Sequence, residues 1–207
     1  MATDKCIWLC DLFSNTTDHK AMGVEETQDP VTKAAFLETA MAFQRGDPIS
    51  PEQLPKMVFD FGMPRKDGKW RDVTVFDLWL LSERYASVFR DFDMGLGALH
   101  PVQVNAIDKV TPMNGDHFFF TAGSKKDAFR PDRSKNFKKS WLVGGPPLKP
   151  WFVHENDLVF SSAALEGPDV WTDVSLSRAF FFSDRLVRAM KKAKVATKYR
   201  LLRCPVE

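Results

Sequence analysis

Trp79–Phe89 reads WLLSERYASVF, and Phe180–Met190 reads FFFSDRLVRAM. Each is an apolar run, then a serine, an acid, an arginine and residues at helical spacing. The run predicts a strand, because a short unbroken apolar segment fits a strand covered on both faces. The serine predicts a helix start. Its side-chain oxygen can accept from a free N–H of the first turn, and the acid after it faces the positive end of the helix dipole. In the first copy the strand is expected at Val75–Leu81, the cap at Ser82, and the apolar stripe at Tyr85, Val88, Phe89 and Phe92. In the second, Ala179–Phe182 is the strand and Ser183 the cap. Leu186, Val187, Ala189, Met190 and Ala193 form the stripe, with Lys191, Lys192 and Lys194 at the last turn.

Extended segments follow both helices, at Leu99–Val104 and in YRLLRCPV (Tyr199–Val206). Ser82 thus aligns with Ser183, Arg84 with Arg185, and Pro101-Val102 with Pro205-Val206. One reading is a duplicated strand-helix-strand unit. The other is the general likeness of capped helices. Capping alone predicts that Ser→Asp is tolerated at either serine, since both residue types cap well.

Working outward, Cys6–Phe13 reads as a first strand. DPVTKAAFLETAMAFQRG (Asp29–Gly46) reads as a helix with Asp29 as cap and Pro30 in the first position. Ala34, Leu37 and Met41 share one side, with Phe36, Ala40 and Phe43 beside them. Gly46 stops the helix, and Pro48 prevents its continuation. The Pro- and Gly-rich stretch near 46–70 is expected to be a loop-rich crossing with a strand at Met57–Phe61. Asn114-Gly115 signals a hairpin, Pro101 suggests an edge or strand-start position, and Phe118–Phe120 lacks the alternation of a half-exposed strand. The fold class is therefore α+β: a mixed or antiparallel sheet with packed helices, in a single domain over residues 1–207.

Eighteen Phe and six Trp against two Tyr predict a core built on large rings. The net charge of +2 identifies no partner, but residues 1–60 hold ten acids and five bases and the remainder is correspondingly basic. Three cysteines, Cys6, Cys10 and Cys204, make no disulfide framework and suit a reducing compartment. The opening MATDKCIWLCDLF is not a secretory signal, and no apolar run is long enough to span a membrane. Cytoplasmic residence is the default expectation.

Catalytic signatures are weak. A nucleophile elbow needs small neighbours around its serine, whereas Leu81, Glu83, Phe182 and Asp184 flank these two. His19, His100, His117 and His154 form no zinc motif. Cys6 and Cys10 lack two further ligands. MGLG and VGGPP lack the pattern of a phosphate loop, and Asp77, Asp91 and Asp93 fit solvated turns. No catalytic residue, metal or cofactor is expected. The segment Gly123–Ser140 does stand out. It carries Lys125, Lys126, Arg130, Arg133, Lys135, Lys138 and Lys139 against Asp127 and Asp132, with Phe129 and Phe137 between them. Solvated loop, contact with an acidic protein, and nucleic-acid binding are the readings, in that order. Lys125, Lys126, Arg130, Arg133, Lys138 and Lys139 are the candidate partner contacts.

The second copy with its approach, PDVWTDVSLSRAFFFSDRLVRAMKKA, resembles the closing segment of a bacterial family of polymorphic-toxin immunity proteins. That segment is an apolar strand, Ser-Asp/Glu-x-Leu, a helix and a last strand. LWLLSERYASVF followed by LHPVQV is similar to an earlier element of the same family. The resemblance covers about residues 57–207. It departs in lacking a glycine after the last helix, where Val195-Ala196-Thr197 stands, and the basic segment matches no part of the pattern. The resemblance implies an antidote that binds a cognate toxin or effector protein, with no catalytic residue, no cofactor and no membrane. A nucleic-acid-binding protein or an enzyme of unknown type, using the basic segment, is the alternative.

Overall fold

The computed structural model describes residues 5–14, 22–24, 30–60 and 71–207. In chain order these form β1 (Cys6–Cys10), β2 (Met22–Val24), α1 (Pro30–Arg45), β3 (Met57–Asp60), β4 (Val73–Val75), β5 (Trp79–Ser82), α2 (Glu83–Ala86) and β6 (Ala98–Asn105). Then come β7 (His117–Thr121), β8 (Lys125–Lys126), β9 (Phe137–Lys139), β10 (Leu148–Pro150), β11 (Val170–Asp173), β12 (Leu176–Ser183), α3 (Asp184–Lys192) and β13 (Leu201–Pro205). Asp29, the expected cap of α1, and residues 61–70 lie outside the described residues.

The strands form two mixed sheets, so the fold is α+β as expected. One runs β2-β3-β6-β7-β5-β4, with β3 parallel to β6. In the other, β12 has β11 on one edge and β1 then β13 on the opposite edge, with β8 beyond β11. The start of β12 also pairs in parallel with β10, which carries β9.

The quoted repeat is now visible in space. The order β4-β5-β7-β6 in one sheet matches β11-β12-β1-β13 in the other, and every neighbouring pair in both quartets is antiparallel. In each, a hairpin leads into a helix, which leads to the fourth strand. The third strand comes from a later segment in one quartet and from the start of the chain in the other. Ser82 pairs with His117 and His117 with Val102; Ser183 pairs with Ile7 and Ile7 with Cys204. Val102 therefore corresponds to Cys204, not to Val206. The Pro-Val alignment is out by two residues, a shift that keeps the same face.

The first apolar run is not one strand, whereas the second, Ala179–Phe182, lies wholly within β12 as expected. Val75–Leu81 breaks at Phe76-Asp77-Leu78, where the Phe76 N–H donates to the Leu78 carbonyl at 3.0 Å. The second hairpin turns at Val174-Ser175, with Asp173 Oδ1 accepting from the Ser175 N–H.

The two sheets bury rings against each other. Phe180 and Phe182 face the first sheet, and Phe181 faces away, into a second cluster with Phe160 and Trp171. Trp79 meets Phe180 edge-on at 4.6 Å between centroids, and Phe89 meets Phe120 at 5.1 Å and Phe182 at 5.6 Å. Burying each such ring contributes about 1.5–3 kcal/mol. Because β12 is covered on both faces, its Phe run shows no alternation. Phe119 and Phe120 are buried for the same reason.

Helix α1 differs from its expected packing. The buried face is Phe36, Thr39, Ala40, Ala42 and Phe43, while Ala34 and Leu37 are exposed and Met41 is half-buried. Helical spacing alone leaves two adjacent stripes, and the rings win because Phe43 reaches Phe180 at 5.0 Å. Its end is as read. Gly46 is left-handed (φ 72°), with its N–H on the Phe43 carbonyl and the Asp47 N–H on that of Ala42.

α3 ends in the same motif without a glycine. Lys194 takes the left-handed position (φ 58°), the Lys194 N–H meets the Lys191 carbonyl, and the Val195 N–H meets that of Met190. Val195 is fully buried and anchors the motif. Of the expected α3 stripe, Leu186, Val187 and Met190 are buried, and Ala193 is exposed. α2 is a single turn continued by a 3-10 segment at Ser87–Asp91, in which Phe89 is buried. The Asn114-Gly115 signal lies between antiparallel β6 and β7, but the connection is longer than a two-residue turn. Asp108 organises it by accepting from the Val110 and Thr111 N–H groups.

Candidate functional site

The two serines part ways. Ser183 caps α3, accepting from the Leu186 N–H at 3.2 Å, and donates to Asp169 Oδ1. Ser82 makes no side-chain cap bond; its hydroxyl donates to Asp72 Oδ1 at 3.0 Å. The main-chain N–H of each serine also donates to the carbonyl of the same aspartate, at 2.8 Å for Ser82 to Asp72 and 2.9 Å for Ser183 to Asp169. Each aspartate precedes the first strand of its hairpin, so one Asp-Ser clasp closes both hairpin mouths. Asp-Val before each copy (Asp72-Val73, Asp169-Val170) was the sequence signal. It escaped notice because the spacing to the serine differs between copies.

Asp169 is the more loaded clasp. It is 2% exposed and also takes Arg185 Nε at 2.6 Å, the second Arg185 nitrogen, and the Asp93 N–H at 3.0 Å. Burial pushes its carboxyl up, but the Arg185, Ser183 and Asp93 donors outweigh this and hold it below the ordinary range. Among the described residues Arg84 pairs with no such acid, and it lies over the Tyr85 ring at 5.7 Å. Both serines are thus occupied by structural bonds.

Burial raises the Cys10 thiol well above its usual value and Cys204 to about 12, so neither is a ready thiolate. His100 is half-buried, His117 buried and His154 exposed, and His19 lies outside the described residues. Among the described residues no group of three or more His, Cys, Asp or Glu is placed to hold a metal ion. Asp77, Asp91 and Asp93 are exposed.

The basic segment is not one solvated loop. It supplies β8, a 3-10 turn at Pro131–Arg133, and β9. Lys125 pairs with Asp47 at 2.6 Å. Lys126 is half-buried over Trp171 (4.6 Å) and donates to the Ala164 and Pro168 carbonyls; burial lowers it to about 8. Arg130 pairs with Asp132 and Arg133 with Glu207. Phe129 is buried, with Phe137 packed edge-on at 5.3 Å, so these rings belong to the core and are not free anchors. Lys139 is exposed.

Free rings lie next to this segment, on the β9–β10 hairpin. Trp141 is 62% exposed, Val143 83%, Trp151 45% and Phe152 74%. Lys138 sits over the Trp151 ring, Lys149 lies 5.7 Å from both Trp141 and Trp151, and Trp151 meets Phe152 at 4.7 Å. Lys138 and Lys149 are register partners and so share a face. Burial lowers the Lys149 pKa, and the neighbouring Lys138 and Arg178 charges add to that. The rings border a cleft of about 850 Å³ lined by Phe13, Lys149, Trp151, Phe152, Arg178 and Arg200 among others. Sequence reading missed this site. WLVGGPPLKPWF carries three rings around a Gly-Pro turn, and that was the available signal.

Compared with known families, residues 12–198 match the model of the immunity protein family Imm11. The chain belongs to the Imm11 family. The match includes both Asp-Ser clasps, the ring-bearing hairpin and Arg178 of this Imm11 chain, and it extends further toward the start than the sequence resemblance did. A search of the curated proteins finds no match. Among the described residues of the Imm11 chain, no helix is long and apolar enough to cross a membrane.

Proposed function

We propose that the chain is an antidote that binds one cognate effector protein and blocks it by surface contact, with no chemistry of its own, in the cytoplasm of the cell it protects. It acts as one domain over residues 1–207. The observation that carries this reading is the exposed ring patch of Trp141, Val143, Trp151 and Phe152, threaded by Lys138 and Lys149. Large rings held open to solvent beside cations are the composition of an interface centre, where Trp, Tyr and Arg dominate binding. Family membership supports the class of partner. Of the six basic residues first singled out, Lys138 adjoins the rings. Arg130, Arg133 and Lys139 are exposed and suit long-range steering. Lys125 and Lys126 are already engaged within the fold. Neutralisation at low concentration calls for nanomolar affinity, about −12 kcal/mol, over roughly 1,200–2,000 Å² of total buried surface.

The test is co-expression with the effector encoded by the adjacent gene, scored by growth, together with a direct binding measurement. Wild-type chain is expected to protect and to bind. Trp141→Asp with Trp151→Asp is expected to fold normally and lose both. Growth arrest despite abundant wild-type chain would refute the antidote reading.

A further inference from the structure

The cleft beneath the ring patch holds an arginine with an unusual setting. Arg178 has no hydrogen-bond or ion-pair partner among the described residues, and its Nε is buried and unpartnered. Its guanidinium lies over the Phe13 ring at 5.0 Å. A buried donor left unpaired is costly. The backbone that presents it is irregular as well. Arg178 has φ 55°, and the β11–β12 register shifts between Trp171 and Asp173. Four residues of β12, Ser177–Phe180, there lie opposite Thr172 alone. Bulges of this kind re-aim side chains, and this one delivers Arg178 to the cleft wall.

The surroundings set the sign of the occupant. Lys149 and Lys138 stand on one face at the rim, and neither has a carboxylate partner among the described residues. Asp11 and Glu155, the acids that line the cleft wall among the described residues, are engaged. Asp11 lies 3.6 Å from Arg200, and Glu155 accepts from the Arg203 N–H at 2.6 Å. Three cations therefore gather here, and among the described residues none has a hydrogen-bonded or ion-paired carboxylate; Asp77 acts on Arg178 only through space. A guanidinium fork matches a carboxylate in two parallel bonds. A phosphate backbone running through the cleft would meet Asp11 and Glu155, which disfavours it.

We propose that this cleft receives a side-chain carboxylate from an acidic contact segment of the effector, with Arg178 as its principal partner, Lys149 at the rim, and Trp151 and Phe152 packing on the residues beside it. The inference rests on the antidote reading and specifies its recognition chemistry.

Two measurements test it. In the first, binding of the adjacent-gene effector is measured by calorimetry for wild type, Arg178→Met, Arg178→Lys, Lys149→Glu and the exposed control Lys33→Glu on α1, each after a melting curve. Arg178→Met and Lys149→Glu are expected to weaken binding by about 30-fold or more, Arg178→Lys by less, and Lys33→Glu by no more than about 3-fold. In the second, the wild-type chain is titrated with a hexaglutamate peptide, a hexaglutamine peptide and an oligothymidylate, following the Trp151 indole resonance. Hexaglutamate alone is expected to shift it, and Arg178→Met to abolish the shift. If Arg178→Met fails to fold, Lys149→Glu and the wild-type titration decide. Effector binding unchanged in both folded variants, or no response to hexaglutamate, overturns the carboxylate subsite and leaves the antidote reading standing. A response to the oligothymidylate instead assigns the cleft to phosphate and overturns it too. Failure of wild type to bind the effector overturns the antidote reading itself.

Discussion

Ser183→Asp separates capping from clasping. As a cap alone, Asp serves as well as Ser, and the substitution should be silent. The structure gives Ser183 a second duty, donating to Asp169, a residue 2% exposed. Ser183→Ala loses the cap bond to the Leu186 N–H, worth about 1 kcal/mol, and one hydrogen bond to a buried carboxylate, worth roughly 1.5–3 kcal/mol. The expected cost is about 2.5–4 kcal/mol. Ser183→Asp keeps the cap but loses the same donor and places a second carboxylate beside Asp169. Two like charges about 4 Å apart repel by about 4 kcal/mol at an effective dielectric near 20, and Arg185 offsets only part of this. At pH 7, Ser183→Asp should therefore be less stable than Ser183→Ala, reversing the order that capping predicts. Acidifying should narrow the gap, as the paired carboxylates come to share a proton. Urea denaturation followed by tryptophan fluorescence gives both stabilities. Ser82, which makes no cap bond, is the internal control, and Ser82→Ala should cost about 1 kcal/mol or less. Ser183→Asp as stable as wild type at pH 7 would refute the clasp.

Asp169 itself has a depressed pKa, so its contribution is complete above the unfolded value of about 3.9 and is lost as pH falls through the folded one; below about pH 4, wild type should lose more stability than Asp169→Asn. Lys126, at about 8 in the folded chain, binds fewer protons than in the unfolded chain up to its ordinary value near 10.4, so stability should rise with pH across that window. Lys126→Met should abolish that rise in pH-dependent denaturation. Phe43→Ala should cost about 3–5 kcal/mol and Leu37→Ala within about 0.5 kcal/mol by urea denaturation, since only the former is buried. Lys194→Gly, at the left-handed end of α3, should stabilise by about 0.5–1 kcal/mol in the same assay.

Local punctuation was legible where it acts through neighbours in sequence. Gly46 ends α1 because a left-handed residue there satisfies the last carbonyls, and that requirement is written within five residues. The same holds for Ser183 at α3. The hidden part began where bonds cross the chain. Asp169 lies fourteen residues before Ser183, and its link to Asp93 spans seventy-six. The basic segment misled because composition counts charges without showing which are already answered, as Lys125 is by Asp47 and Lys126 by two carbonyls.

The sequence by itself determined the α+β class, the repeated apolar-run-Ser-acid-Arg unit, the Gly46 end of α1, the Ser183 start of α3 and the likeness to an immunity family. Those depend on residue type and short-range spacing. Only the tertiary structure decided that the first strand of the chain completes the second quartet. It alone chose Phe43 over Leu37 for the core, and brought Arg178 and Lys149 together beneath Trp151. Each of these turns on which distant segments meet, and side chains far apart along the chain acquire a shared environment only when the sheets close.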